Sequence, residues 1–151
     1  NDWQIIVRTH QKEIHNNFTT KEKIELLTPF LQTLTDEVKS TLNNNEFPLV
    51  IGGDHSCAIG SWRALLETSQ KDIGLMWLDA HLDSHTFQTT PSYAIHGMPL
   101  ACLLGYGENQ FIPKKLLLPE NVVIFGARSW EKLQDHLANR STALGREASR
   151  A

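Results

Sequence analysis

Apolar residues recur at spacings of three and four between residues 20 and 42, which is the period of one face of an α-helix. The stripe consists of Ile24, Leu27, Leu31, Leu34, Val38 and Leu42. Pro29 interrupts it, and Thr28 before this proline is typical of an N-cap followed by proline at the first helical position. The pattern therefore predicts two shorter helices, the second ending at Asn43.

Farther along the chain, three short and continuous apolar runs predict buried β-strands. They are residues 48–53, which end in a glycine pair, residues 73–78 and residues 122–125. Helical patterns follow the first run at residues 58–66 and the third at residues 129–137. This order of strands and helices is typical of a parallel sheet. We therefore predict an α/β fold with three layers, in which helices cover both faces of a mainly parallel sheet.

The composition is that of a globular protein and excludes several classes of partner. The chain has 151 residues and a net charge of -3, with 40% hydrophobic and 21% charged residues, so neither nucleic acid nor an anionic membrane is expected to bind. The apolar runs are far shorter than the roughly 20 residues that span a bilayer. Two cysteines, Cys57 and Cys102, form no disulfide framework, which favours a cytoplasmic location.

The chain has no linker that would divide it into two folded units. We predict one α/β domain over residues 1–140 and a disordered or non-native tail over residues 141–151, because the tail is small, polar and rich in arginine and alanine. The chain starts at Asn1 rather than methionine, so we expect that it was processed or lies within a longer chain.

The first motif with candidate chemistry is Gly52-Gly53-Asp54-His55-Ser56, at the carboxyl end of the first predicted strand. Open α/β sheets bind ligands at this edge, and the glycines allow the backbone to turn sharply. His55 is therefore a candidate ligand. The alternative for Asp54 and Ser56 is that they only cap the helix that follows.

The second motif, residues 79–85, follows the second predicted strand directly. If the chain stays extended, Asp79, His81 and Asp83 lie on one side of it. Buried carboxylates need a compensating positive charge, and no lysine or arginine is close in sequence. Oxygen ligands with one or two imidazoles suit manganese or magnesium. The alternative is a solvated acidic loop without a metal.

A third motif, Ile95-His96-Gly97-Met98-Pro99, completes a series. With Gly53-Asp54-His55-Ser56 and Asp79-Ala80-His81-Leu82-Asp83, it resembles the successive signatures of the arginase/agmatinase (ureohydrolase) family. The resemblance extends over about residues 49–130 and implies a partial arginase-like fold.

The resemblance also implies a role for each matching residue. His55 would bind one Mn²⁺ ion and His81 a second, Asp79 would bridge them, and Asp83 would bind the same ion as His55. Asp83 would also pass a proton to the leaving amine, and His96 would exchange protons with solvent. The alternative for His96 is a helix-capping or core histidine.

The resemblance further indicates a guanidino substrate, with hydrolysis of arginine to ornithine and urea favoured over agmatine or a formimino compound. Thr90 and Ser92 match positions that contact the α-carboxylate of the substrate in arginases. Two positions that help to bind the amino-acid part depart from the family, since His85 and Ala94 each replace an asparagine. Without the resemblance, Thr90 and Ser92 simply belong to a loop.

The family's later Asp-x-Asp motif and its opening glycine-rich strand have no match here. We therefore expect a fragment that has about half of the ligand set, binds manganese weakly and is inactive alone. Intact family members are homo-oligomers, either trimers or hexamers. One alternative is a non-catalytic module that self-associates through exposed sheet edges. Another is a thiol-dependent hydrolase that uses Cys57 or Cys102 with a nearby histidine.

Overall fold

The computed structural model of the chain describes residues 18–129. The elements in chain order are α1 (Thr20–Asn43), α2 (Cys57–Thr68), β1 (Leu75–Leu78), α3 (Pro99–Leu103) and β2 (Val122–Phe125). Single turns of 3₁₀-helix lie at Ile95–Gly97 and Pro119–Asn121. The predicted helix after residue 129 and the predicted tail over residues 141–151 lie outside the described residues.

Helix α1 is continuous, so the prediction of two shorter helices is wrong. It begins at a capping box in which Thr19 and Glu22 each bond the backbone N–H of the other. Pro29 is exposed inside the helix, and Thr28 does not act as an N-cap, because its hydroxyl donates to the Ile24 carbonyl at 2.7 Å. A proline removes one helical hydrogen bond, a loss that packing on the opposite face of the helix offsets.

That packing is the contact between α1 and α2. Leu31 of α1 and Ile59 of α2 are buried in one cluster with Phe111. The Thr35 hydroxyl lies 2.7 Å from the Leu31 carbonyl and 3.1 Å from the Gly60 carbonyl, so it joins the two helices. A Cβ atom at Gly60 would lie 2.9 Å from the Leu31 carbonyl oxygen, so glycine allows the helices to approach this closely.

Strands β1 and β2 pair in parallel, which confirms the predicted α/β class. In register, Leu75 is opposite Val122 and Trp77 is opposite Ile124, and these four side chains are buried in the core cluster with residues of α2 and α3. The other face of both strands is apolar but exposed, as Leu78 at 72% shows. Within residues 18–129, helices therefore cover one face of the sheet.

The prediction of a strand over residues 48–53 is wrong, although the strand over residues 122–125 and the helix at residues 58–66 are confirmed. The chain at residues 47–53 forms no helix or strand, and Phe47, Leu49 and Ile51 are exposed. An apolar run becomes a strand only when a neighbour completes its ladder of hydrogen bonds, and among the described residues no strand pairs with this one. The run at residues 73–78 becomes regular strand only from Leu75.

Glu67, near the end of α2, joins three parts of the fold. Its carboxylate lies 2.7 Å from Lys39 Nζ of α1 and accepts the backbone N–H of Lys114 at 3.0 Å. Burial alone would raise the pKa of Glu67, but these hydrogen bonds and the charges of Lys39 and Arg63 together hold the pKa below its ordinary value. The ionised form of Glu67 therefore stabilises the fold.

No helix within residues 18–129 combines the length and the apolar character needed to cross a bilayer.

We expect Gly60→Ala to lower the free energy of unfolding by about 1–2 kcal/mol, because the added methyl group forces α1 and α2 apart. Alanine also favours the helix over glycine by about 1 kcal/mol. The measured change in unfolding free energy is therefore the cost of the clash minus this gain. Urea unfolding followed by circular dichroism gives the value. Ser61→Ala, at the next position of α2, adds no atom and serves as the control. An unfolding free energy that rises for Gly60→Ala would contradict the close helix contact.

We expect Glu67→Gln to lower the free energy of unfolding at pH 7 by about 1–2 kcal/mol. Because the pKa of Glu67 is lowered on folding, its contribution is complete above the ordinary glutamate pKa and is lost as the pH falls through the lowered value. The difference between variant and original chain should therefore shrink in acid. Glu25→Gln, in an exposed pair with Lys21, is the control and should have little effect at any pH. A deficit that does not change with pH would rule out this account.

Candidate metal centre

The pairing of β1 and β2 continues beyond the ends of both strands. It fixes the position of residues 79–81, the first part of the second motif. The backbone N–H of Asp79 donates to the Phe125 carbonyl at 3.0 Å, and the Ala80 carbonyl accepts two N–H groups from residues 128–129. An isolated parallel bridge between His81 and Ser129 follows. Asp79 and His81 are therefore fixed to the carboxyl end of the sheet, where ligands bind in α/β proteins.

Asp83 reaches the same site by a different route from the one predicted. The sequence pattern assumed an extended chain from Asp79 to Asp83, but Asp83 has a φ of 47°, in the left-handed region. Its carbonyl accepts the N–H of Leu100 at 2.9 Å, so the first turn of α3 stabilises this conformation. The turn directs the buried Asp83 carboxylate back toward Asp79.

His55 enters from the turn before α2. The carboxylate of Asp54 accepts the backbone N–H of Ser56 at 2.9 Å and also its hydroxyl, which closes this turn. Ser56 makes no side-chain capping bond to the helix, and Asp54 and Ser56 act in building the turn rather than as ligands in the cluster. Asp54 and Ser56 therefore have a structural role, close to the helix-capping alternative. His55 is the residue of this turn whose side chain reaches the site.

The side chains of His55, Asp79 and Asp83 converge at one point. His55 Nδ1 lies 2.6 Å from Asp83 Oδ2 and 3.0 Å from Asp79 Oδ2. One ligand atom from each of the three lies within 4.8 Å of the others. His55 is thus brought into a single group of donors with two aspartates that lie 24 and 28 positions later in the sequence. The alternative of a solvated acidic loop does not describe the half-buried Asp79 or the buried Asp83.

His81 lies at the edge of this group rather than inside it. Its side chain is 64% exposed, and its Nδ1 is 3.1 Å from Asp79 Oδ1. Its backbone N–H donates to the same oxygen at 2.9 Å. The two oxygens of Asp79 therefore face two different histidines, since Oδ2 faces His55 and Oδ1 faces His81.

The two carboxylates have opposite electrostatic environments. Burial raises the pKa of Asp83, and the charge of Asp79 adds to this, while His55 opposes it. Burial alone would also raise the pKa of Asp79, but hydrogen bonds from the backbone and ring of His81 and the charges of both histidines hold its pKa below the ordinary value. Two carboxylates at this spacing form a negatively charged group when both are ionised, which favours a cation.

The donor set fits a hard divalent cation. One imidazole nitrogen and several carboxylate oxygens suit Mn²⁺ or Mg²⁺, whereas a structural zinc site generally has four ligands rich in thiolate and imidazole. Cys57 is next to the turn but is not in the group. His55, Asp79 and Asp83 could hold such an ion. His81 lies outside this group, beside the other oxygen of Asp79.

His96, the predicted proton shuttle, lies in the 3₁₀ turn at Ile95–Gly97 and is exposed. Its Nδ1 is 3.9 Å from Asp54 Oδ2, longer than a hydrogen bond. His96 therefore lies close to the turn that presents His55. Its exposure is inconsistent with the alternative of a core histidine.

The predicted substrate-binding residues are held within a loop of residues 85–93. His85 is buried, with its ring Nδ1 3.2 Å from Thr89 Oγ1 and its backbone N–H bonded to the Gly97 carbonyl. Thr90 is buried, and its hydroxyl lies 3.3 Å from that of the exposed Ser92. Of the three, Ser92 is the one whose side chain is open to solvent. Lys23 of α1, which the sequence did not single out, donates to the carbonyl of Tyr93 in this loop.

The cysteines lack the properties of a nucleophile. Burial raises the pKa of Cys102 to about 12, and burial followed by the charge of Asp54 raises the pKa of Cys57. Both side chains are therefore neutral thiols at pH 7, and a reactive cysteine needs a lowered pKa. The structure does not support the thiol-hydrolase alternative.

Sequence reasoning also missed Trp77. Its indole stacks on the imidazole of His55, with ring centroids 4.3 Å apart and an angle of 23° between the planes. A signal was available, because period-two alternation along a strand places Trp77 on the same side as Asp79.

Comparison with known proteins shows the family to which this fold belongs. The sequence model of the arginase family matches residues 5–145. Arginase of Staphylococcus aureus (strain MRSA252) is 41% identical over 112 residues, which cover 70% of this chain and 37% of that protein. The crystal structure of arginase from Bacillus cereus has a TM-score of 0.76 at 34% identity, and the match covers 83% of this chain and 45% of that one.

The Entamoeba histolytica arginase in complex with L-ornithine has a TM-score of 0.75 at 27% identity, with 89% of this chain and 46% of that chain covered. This chain thus spans less than half the length of these three relatives. The match of the family model to most of the chain confirms the resemblance seen in the three motifs, and the chain belongs to the arginase family.

Proposed function

We propose that the chain carries part of a paired manganese centre of a ureohydrolase that hydrolyses L-arginine to ornithine and urea. The observation that carries this proposal is the convergence of His55, Asp79 and Asp83 within 4.8 Å at the carboxyl end of the sheet, in a chain of the arginase family. The carboxylates need a cation to balance their charge. Membership of the arginase family indicates that this cation serves in the hydrolysis of a guanidino compound.

Each side chain has a distinct task in this proposal. His55 and Asp83 would hold one ion, His81 would hold a second, and Asp79 would contribute to both. Divalent ions bound there would supply Lewis-acid activation of water for attack on a guanidinium carbon. Asp83 passes a proton to the leaving amine. His96, which is exposed near the site, exchanges protons with solvent.

The choice of arginine rests on the relatives. The proteins matched above are arginases, and the one from Entamoeba histolytica binds L-ornithine, the amino-acid product of arginine hydrolysis. Thr90 and Ser92 would contact the α-carboxylate, and His85 would shape the same loop. Agmatine and formimino compounds are the alternative substrates.

The cellular location and the oligomeric state of the proposed enzyme are also part of this proposal. Two free thiols are compatible with the reducing conditions of the cytoplasm. A homo-oligomer, either a trimer or a hexamer, is proposed from the family. The alternative of a non-catalytic module that self-associates is favoured by one specific observation, the exposed apolar side chains on the uncovered face of β1 and β2.

We expect Mn²⁺ to raise the melting temperature of the chain, because an ion that binds only the folded state stabilises it by about 2.7 kcal/mol at a hundredfold excess over the dissociation constant. Asp79→Ala should abolish the shift, and His81→Ala should reduce it. Asp72→Ala removes an exposed carboxylate outside the donor group and should leave the shift unchanged. Thermal unfolding with increasing Mn²⁺ measures all four proteins. An equal shift in Asp79→Ala and Asp72→Ala would mean that manganese binds elsewhere.

In a urea-release assay with added Mn²⁺, we expect turnover close to background for this chain, because the described residues offer an incomplete donor set. Any urea that is released should come from L-arginine in preference to agmatine, with formiminoglutamate assayed in parallel through formamide. Size-exclusion chromatography of the same samples separates the two classes of function. A species whose size and stability do not respond to manganese would favour the self-associating module.

A further inference from the structure

Trp77 contacts a proposed metal ligand by its ring face. The indole and the His55 imidazole are stacked, with centroids 4.3 Å apart and planes inclined by 23°. In this arrangement, the indole covers one face of the imidazole. The edge of the imidazole, which carries its nitrogens, is left for other contacts. Nδ1 on that edge is the atom that faces Asp79 and Asp83.

Trp77 is itself held firmly. It is 3% exposed, lies opposite Ile124 in the parallel register of β1 and β2, and belongs to the core cluster that includes Leu100. Aromatic rings packed in a core have few alternative positions. His55, by contrast, lies in a turn and is partly exposed, so the immobile ring is the one that determines the orientation of the other.

The indole N–H of Trp77 is buried and makes no hydrogen bond among the described residues. A buried donor without a partner destabilises a fold, and phenylalanine would fill much of the same space without that donor. Core packing therefore gives no reason for an indole here, whereas the broad ring face that covers His55 does.

We propose that Trp77 is a positioning residue for the metal centre, because its ring face fixes the plane of His55 and keeps Nδ1 directed to the point between Asp79 and Asp83. This inference rests on the proposed manganese site. The role of Trp77 in this inference is exerted only through its contact with His55. Ligand orientation of this kind typically contributes about 10–100-fold to metal affinity.

The first test compares Mn²⁺ dissociation constants of the full chain by calorimetry. Trp77→Leu keeps an apolar side chain but removes the ring, and we expect about a 10–100-fold weaker affinity. Trp77→Phe restores a smaller ring face and should recover part of this loss. Leu75→Ala, on the same strand and the same buried face but farther from the site, should destabilise the fold without changing the affinity. Unchanged affinity in Trp77→Leu would overturn the positioning role alone.

The second test needs no metal. Ring currents of a stacked indole shift the His55 ring protons upfield in the NMR spectrum, and this shift should be present in the metal-free chain and in Leu75→Ala but absent from Trp77→Leu. A His55 signal that does not respond to Trp77→Leu would overturn the stacked geometry and the inference with it. If the upfield shift is present but the original chain binds no manganese in calorimetry, the proposed function fails and the positioning role with it.

Discussion

The site depends on the mutual approach of two carboxylates, Asp79 and Asp83, around one imidazole. Negative charges that are partly withdrawn from water repel each other and are poorly solvated, so the arrangement is unfavourable unless positive charge compensates it. In the described residues, histidines provide the ion-pair partners of both carboxylates. The opposite pKa changes of Asp79 and Asp83 express this constraint, because hydrogen bonds from His81 satisfy one carboxylate while burial of the other is opposed mainly by His55.

Three separate features of the fold maintain that approach. Pairing of Asp79 with Phe125 continues the parallel ladder, the left-handed turn at Asp83 is fixed by the start of α3, and His55 is attached to the first turn of α2. Helix α2 is in turn fixed against α1 where Gly60 meets Leu31. A substitution at this helix contact therefore acts on the site through the position of α2, although it lies far from the donor side chains. A rigid scaffold orients functional side chains on loops in this way.

Much of this was predictable from the sequence, and the failures have physical causes. The runs at residues 73–78 and 122–125, the helix after His55 and the donors themselves follow from local patterns. The continuity of α1 through Pro29 depends on packing against α2, which sequence periodicity does not contain. The sequence pattern placed Asp83 at the site through an extended chain, whereas Asp83 adopts a positive φ, which is uncommon even for aspartate. The Trp77 stack is a contact between segments 22 positions apart. Strand alternation places Trp77 on the same side as Asp79, but it does not indicate that His55 packs against the indole.

The incomplete donor set and the uncovered sheet face are connected. Strands of a parallel sheet are normally buried on both faces, yet Met76 and Leu78 of β1 and Phe125 of β2 are exposed, as is the apolar segment at residues 47–51. The donors lie at the carboxyl end of the same strands, so a further parallel strand in this sheet would end at the same edge and could add ligands there. Hard cations such as Mg²⁺ favour about six oxygen or nitrogen ligands, more than His55, Asp79 and Asp83 provide by themselves. Extending the sheet and adding ligands to this group of donors are therefore linked, and the chain spans less than half the length of these arginase relatives.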